Sequence, residues 1–444
     1  MDVNYAEGRE YFDSDKEIRA EIENKTGKTP AQLFEEREKR LQDAVALKTP
    51  DRVPVVLMTG YFPFRYAKLQ NSMAFYDQNV YRDIFIKTLL DFPADAFFSA
   101  YGNASGKALE ILGDTQSAWA GGPYPDDQGF QFFGEDIIKD DEYDLFITDP
   151  SDFLLRYYLP RRYKALAPLE KLSSLMNILG PLGVIHGAVE YNGQEIAGAL
   201  QALAKAGEEQ VKFRDVDKEV SELLGIPEFM DLSRGGGLTT PPYHQIVDYL
   251  RGLRCTLLDM YKRPEKLLAA MDSLYERSLA RADNASPEEF GKIRVMAGGN
   301  HFSSEEFLSR KQFDTFVWPT WKKCLLGLIE RGFIPRWLME GKNDDRIEPF
   351  LDLPKGKAIF HFEKADMHRA KDILKDHMCI AGNVPVSLLW GGSPQEVEDY
   401  CRDLIEVCGK DGGFILANGG TCDDAKPENL AAMINAAEKY GRYY

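Results

Sequence analysis

The sequence predicts an α/β fold, a (β/α)8 TIM-type barrel with an N-terminal helical extension and a loop and helical insertion after strand 2. Short apolar runs recur along the chain, helical patterns separate them, and most runs end in a loop of Gly, Asn, His or Glu. Strands that alternate with amphipathic helices favour a parallel sheet with right-handed crossovers. Residues 378–430 show the pattern best. An apolar run at 379–381 ends in Gly382-Asn383-Val384-Pro385, a helical pattern spans 394–407, and a second run at 413–417 ends in Asn418-Gly419-Gly420-Thr421-Cys422. In such barrels the chemistry sits on the loops after the strands.

Taken in order, residues 1–48 are charged and helical in pattern, with Thr29-Pro30 as a cap-and-start signal, and form an extension outside a barrel that occupies 49–444. The first strand is expected at 52–58, closed by Thr59-Gly60-Tyr61-Phe62-Pro63. The second, at 94–100, ends at Tyr101-Gly102-Asn103. From 104 to about 175 the pattern turns irregular and reads as an insertion. A third strand is expected at 175–184, with His186 in the loop HGAVEYNG after it. Residues 196–290 read as mostly helical, broken by Ser233-Arg234-Gly235-Gly236-Gly237, which lacks the strand-to-helix setting of a dinucleotide site. The fourth strand, 293–297, leads into Gly298-Gly299-Asn300-His301. The fifth, 333–339, leads into Glu340-Gly341-Lys342. The sixth, 357–362, carries His361 and is followed by Glu363.

A chain of 444 residues with 44% apolar content can bury a sizeable core. Its formal charge of -17 argues against nonspecific nucleic-acid binding and against an anionic membrane surface. The first residues, MDVNYAEGREYFDSDKEIRAE, do not show a basic-then-apolar leader, and no run approaches the roughly 20 apolar residues of a membrane span. Six cysteines without a CxxC pair suit a reducing compartment. A cytoplasmic location is the expectation.

Candidate site residues follow from the strand ends. His301, Glu340, Glu363, Asn383 and Cys422 all fall just after expected strands, and Tyr61, Tyr101 and His186 fall in loops at the same end. His301, Glu340 and Cys422 offer one nitrogen, one oxygen and one sulfur donor, a set that could hold zinc with an open fourth position. His301 could equally be a hydrogen-bonding residue of a polar cavity. Glu340 and Glu363, if close and buried, would raise one another's pKa and serve as acid and base alongside His301. The alternative is a pair of carboxylates neutralised by Lys342, Lys364 or Arg336. Tyr61, Phe62, Tyr101, His186 and Asn383 are the candidates for substrate contacts.

The ending GNVPVSLLWGGSPQEVEDYCRDLIEVCGKDGGFILANGG…KPENLAAMINAAEKYG, the start TPDRVPVVLM and the segment YHQIVDYLRGLRCTLLDMYKRPEKLLAAM resemble the uroporphyrinogen decarboxylase superfamily. The resemblance runs from about residue 36 onward and implies the same barrel. True porphyrinogen decarboxylases carry an arginine-rich segment after the first strand and an F-S-D aspartate after the second. This chain reads TGYFPFR at the first place, and Ala100 follows Phe98-Ser99 at the second. The other branch, the corrinoid-dependent methyltransferases, binds zinc through His-x-Cys after the fifth strand and a Cys after the eighth. Here Glu340 stands where that Cys is expected, the His is missing, and Cys422 lies two positions beyond the last ligand.

The resemblance therefore implies a methyltransferase that moves a methyl group from a small methylated donor, for example a methoxylated compound, to the cobalt of a separate corrinoid protein. Zinc held by Glu340, Cys422 and His301 is the expected cofactor, and a homodimer the expected assembly. The sequence has no D-x-H-x-x-G motif, so the corrinoid would come from the partner. A decarboxylase or lyase on a non-porphyrin carboxylated substrate, with Glu363 or His301 as proton donor, is the alternative. A barrel that has lost catalysis and docks a corrinoid protein is the third reading.

Overall fold

The computed structural model describes residues 14–443 apart from 100–103, 135, 232–239 and 285–291. The main sheet has eight parallel strands: β1 (Val55–Thr59), β2 (Ala96–Ser99), β3 (Met230–Asp231), β4 (Val295–Asn300), β5 (Ile334–Met339), β6 (Ile359–Phe362), β7 (Cys379–Val384) and β8 (Phe414–Asn418). They are ordered β2-β1-β8-β7-β6-β5-β4-β3. The two ends of that order meet, because Phe97 of β2 receives and gives backbone hydrogen bonds at 2.8 and 3.1 Å with Phe229 and Pro227, just before β3. The sheet is thereby closed into a barrel.

The strands read as continuous apolar runs because both their faces are covered. Val56, Ala96, Ala297, Ile359, Ala381, Ile415 and Ala417 form the inner cluster. Their neighbours one residue away, among them Val55, Leu57, Met296, Phe360 and Leu416, pack outward against the helices. The alternation is the two-residue period of a strand seen from inside and outside the barrel. Outside, Trp318, Trp321, Trp337 and Phe350 interlock, with Phe350 stacked on Phe360 at 3.6 Å.

The extension forms two helices, α1 (Asp15–Thr26) and α2 (Pro30–Val45). Thr29 caps α2 with a full capping box to Gln32 and Pro30 takes the first turn, as the sequence predicts. Leu41, Ala44 and Val45 of α2 join the inner cluster. Arg40 and Arg52 meet on Asp95, just ahead of β2, and Glu38 accepts from the backbone of Lys292 and Ile293, just ahead of β4. These contacts all lie at the strands' N-terminal ends, so α2 stoppers that end of the barrel.

The third strand departs from expectation. Residues 175–184 form a 3-10 turn, Leu175–Ile178, and the start of a helix, Gly183–Tyr191; the strand that pairs with β4 is the two-residue β3. An apolar run of that length is ambiguous between strand and helix, and Gly180-Pro181 breaks it. The insertion between β2 and β3 thus extends to about residue 229. It contains a short antiparallel hairpin, Ser117–Ala118 against Gln131–Phe132, and the long helix Gln194–Val211. Among the described residues no helix is long and apolar enough to cross a membrane.

Candidate active site

Register places the key residues. Asn300 of β4 pairs with Met339 of β5, and Met339 pairs with Phe362 of β6. The next residue on each strand is His301, Glu340 and Glu363, so the three stand in a row at the C-terminal rim. His301 Nε2 lies 3.4 Å from Glu340 Oε1. Glu363 Oε2 accepts a 2.6 Å hydrogen bond from the backbone N–H of Gly341, and its other oxygen lies 3.7 Å from Lys364 Nζ. Gly341 has φ of 72°, and a Cβ there would come 2.6 Å from Ser304 Oγ. Glycine at that turn lets the chain double back so that Glu363 can be held.

Behind His301 stands Asp248, a residue without a signal in the sequence. It lies on the helical turn Gln245–Leu250, is 5% exposed, and has Oδ2 3.2 Å from His301 Nδ1. An ionised carboxylate only accepts, so Nδ1 carries the hydrogen and Nε2 faces Glu340. Burial pushes the Glu340 carboxyl above its usual range; His301 opposes this, while Glu363 and Asp248 add to it. The Glu340 side chain is still 45% exposed. That surface opens into a cavity walled by protein rather than onto bulk water, which reconciles the exposure with the upward shift.

The cavity has a volume of about 940 Å³ and is lined by His301, Glu340, Glu363, Asp248 and Arg336 with a wall of aromatic rings. Phe98, Phe302 and Phe307 come from the barrel, while Phe130, Phe132 and Arg162 come from the insertion. The insertion therefore roofs the mouth. At the floor, His361 is buried, and its Nε2 lies 2.8 Å from the carbonyl of Asn418 while Nδ1 receives the Arg336 guanidinium. A carbonyl only accepts, so the imidazole is the neutral Nε2–H form, and burial beside Arg336 pushes its pKa well below the usual value. His361 anchors Arg336 and is not a facing ligand.

Other expected residues are spent elsewhere. Asn383 is buried, with Nδ2 donating to Ala365 O at 2.9 Å and Oδ1 accepting from Tyr400 at 3.0 Å. Tyr61 is buried, and its hydroxyl accepts from the Phe130 backbone at 2.9 Å, so it holds the insertion rather than a substrate. Phe62 packs on Tyr66 and Phe92. His186 is exposed on the helix Gly183–Tyr191, with no strand ahead of it to aim it at the barrel mouth. Tyr101 and the 233–237 glycine stretch lie outside the described residues. Of the cations expected to neutralise the glutamates, Lys342 instead reaches Glu305 and Asp344, at 3.7 and 3.8 Å.

Zinc on Glu340, Cys422 and His301 does not fit this arrangement. Cys422 is 3% exposed, belongs to the same apolar cluster as Phe62 and Ala425, and lies outside the cavity wall. Burial pushes its thiol up to about 12. Among the described residues no three His, Cys, Asp or Glu side chains are grouped to hold a metal ion. The sequence places Cys422 correctly after a strand, but its position does not reveal which way the side chain turns.

Residues 244–440 match the family model for uroporphyrinogen decarboxylase (URO-D). Uroporphyrinogen decarboxylase of Syntrophotalea carbinolica (strain DSM 2380 / NBRC 103641 / GraBd1) is 22% identical over 182 residues, which is 40% of this chain and 50% of that protein. The alignment thus spans half the length of that curated relative. A solved structure of a methyltransferase from Methanosarcina mazei superposes with a TM-score of 0.57 at 13% identity, covering 91% of this chain and 98% of that one. The fold is that of a TIM-type barrel, and residues 244–440 are similar to the uroporphyrinogen decarboxylase family.

Proposed function

We propose that this chain is a cytoplasmic methyltransferase that takes a methyl group from a small methylated donor, such as a methoxylated aromatic, and delivers it to the cobalt of a separate corrinoid protein. The observation that carries the reading is the His301–Glu340 contact, backed by Asp248, inside an aromatic-walled cavity at the catalytic end of the barrel. Kinship to a structure described as a methyltransferase adds to it. The partner's corrinoid, when bound, supplies the nucleophile that accepts the methyl group.

The chain's own residues have two tasks. The aromatic wall binds an apolar donor and keeps water from it. Glu340, whose carboxyl burial pushes above its usual range, gives its proton to the donor oxygen as the carbon–oxygen bond breaks and the electron pair stays on oxygen. His301, with Nδ1–H fixed on Asp248, faces the resulting carboxylate through Nε2, which takes up a proton from water and passes it to Glu340, returning both groups to their starting forms. The donor leaves as the free alcohol or phenol.

The test is methyl transfer from methoxylated aromatics, methylamines and methylthiols to a reduced corrinoid protein, followed by the corrinoid absorption spectrum. Transfer from a methoxylated donor that is lost in Glu340→Gln is the expected result. Absence of transfer from all three donor classes, with metal supplied, sinks the reading.

A further inference from the structure

The insertion contains a surface that the site does not use. Residues 172–189, LSSLMNILGPLGVIHGAV, contain no Asp, Glu, Lys or Arg, on a chain of formal charge -17. Met176, Leu179, Leu182, Ile185 and Val189 are 57 to 78% exposed, and Leu175 and Val184 border them at 50 and 63%. None of the residues of the helix Gly183–Tyr191 is buried. The next helix, Gln194–Val211, leaves Leu200, Leu203 and Val211 at 40 to 65% exposure.

This hairpin is a fixed platform rather than a loose arm. Ser173 binds Glu190 through both its backbone N–H, at 2.9 Å, and its hydroxyl, at 2.8 Å, closing the hairpin at its base. Leu172, Ile196 and Ala199 anchor it in a buried cluster with Leu166 and Leu169. A monomer seldom leaves so large an apolar surface to water.

We propose that this surface is where two copies of the chain join, the helix Gly183–Tyr191 lying against its counterpart across a two-fold axis. Charge selects a second copy as the occupant. Two acidic chains repel over most approaches, and here alone in the insertion an 18-residue stretch brings no charge against charge. The seven side chains offer on the order of 800 Å² from each copy, the share one partner contributes to a standard-size interface. An isologous contact also needs a self-complementary patch, which an uncharged apolar one is. A membrane-lying helix would be flanked by Lys and Arg on its polar face, whereas this hairpin is bordered by Glu170 and by a Lys171–Glu195 ion pair at 2.5 Å.

The test is sedimentation equilibrium of the full chain and of the double variant Leu179→Glu, Ile185→Glu. The wild type is expected at twice 50.3 kDa. The variant is expected at the monomer mass with unchanged circular dichroism and melting, because both positions are exposed. A monomeric wild type overturns the proposal, as does a dimer that the double substitution leaves intact. A monomer whose 172–189 segment is protected from hydrogen exchange until residues 1–13 are deleted also overturns it, by showing that the chain's own start covers the patch.

Discussion

His301 and Glu340 face each other at 3.4 Å because they follow directly on paired residues of adjacent strands, Asn300 and Met339. Sheet register thus sets their backbones side by side. Their chemistry is then set by what lies behind each: Asp248 behind the imidazole, and burial around the carboxyl.

Asp248→Asn is expected to lower kcat by about 10-fold to 100-fold with KM little changed, since it replaces the charged, acceptor-only group that fixes the Nδ1–H form of His301 with a neutral amide that can also donate. The acidic limb of the pH–rate profile should move as well, and Asp248→Glu should restore part of the rate. A variant with the wild-type profile would reduce Asp248 to packing.

Glu340→Gln should abolish turnover yet stabilise the protein in alkali. The folded-state pKa of Glu340 is raised, so the folded chain holds that proton more tightly than the unfolded one. The stability this contributes is present at low pH and is lost as pH rises through the window between the unfolded and the raised folded value. Urea denaturation at pH 5 and pH 8 reads the sign: the variant should gain on the wild type at the higher pH and not at the lower.

Cysteine labelling separates a packed thiol from a metal-bound one. Cys255 is the partly exposed cysteine, and the other five are buried. Iodoacetamide on the native protein should modify Cys255 first and leave Cys422 untouched, with or without chelator. Chelator-dependent exposure of Cys422 would mean that a metal had held it as a thiolate.

His244 and His361 are both fully buried and held neutral by that burial. Their folded pKa values are depressed, so the unfolded chain takes up protons that the folded one refuses as pH falls below the usual histidine value near 6.5. Each should cost about 1.4 kcal/mol of stability per pH unit below that point. Denaturation at pH 6.5 and 5.5 measures the combined slope, and His361→Asn should make it shallower; an unchanged slope would count against the assignment.

Much of this was legible in the residues. The strand ends that carry His301, Glu340 and Glu363 stand where apolar runs stop, because a parallel strand buried on both faces is apolar throughout and its loop is not. What the pattern could not supply was partnership at a distance. Asp248 lies 53 residues before His301 on the π-helical turn Gln245–Leu250, and only folding brings them together. Cys422 follows β8 as expected, whereas Asn383 lies inside β7 rather than after it, and each turns its side chain into the protein. The 175–184 run failed in another way. It is apolar enough to be core, but β3 needs only two residues, since the Phe97 backbone completes the closure beside it.

The helix α2 covers the lower end of the barrel, and Arg336 held by His361 floors the cavity above it, so among the described residues the cavity is closed from below. Among those residues the way in is from the C-terminal face, and the proposed partner would stand over that same mouth. On the function proposed above, turnover should follow a compulsory order: the small donor boards first, the proposed corrinoid protein docks over it, and the demethylated product waits until that protein has gone. Product inhibition is where this traffic rule would be seen, with the free phenol competing against the donor rather than against the partner.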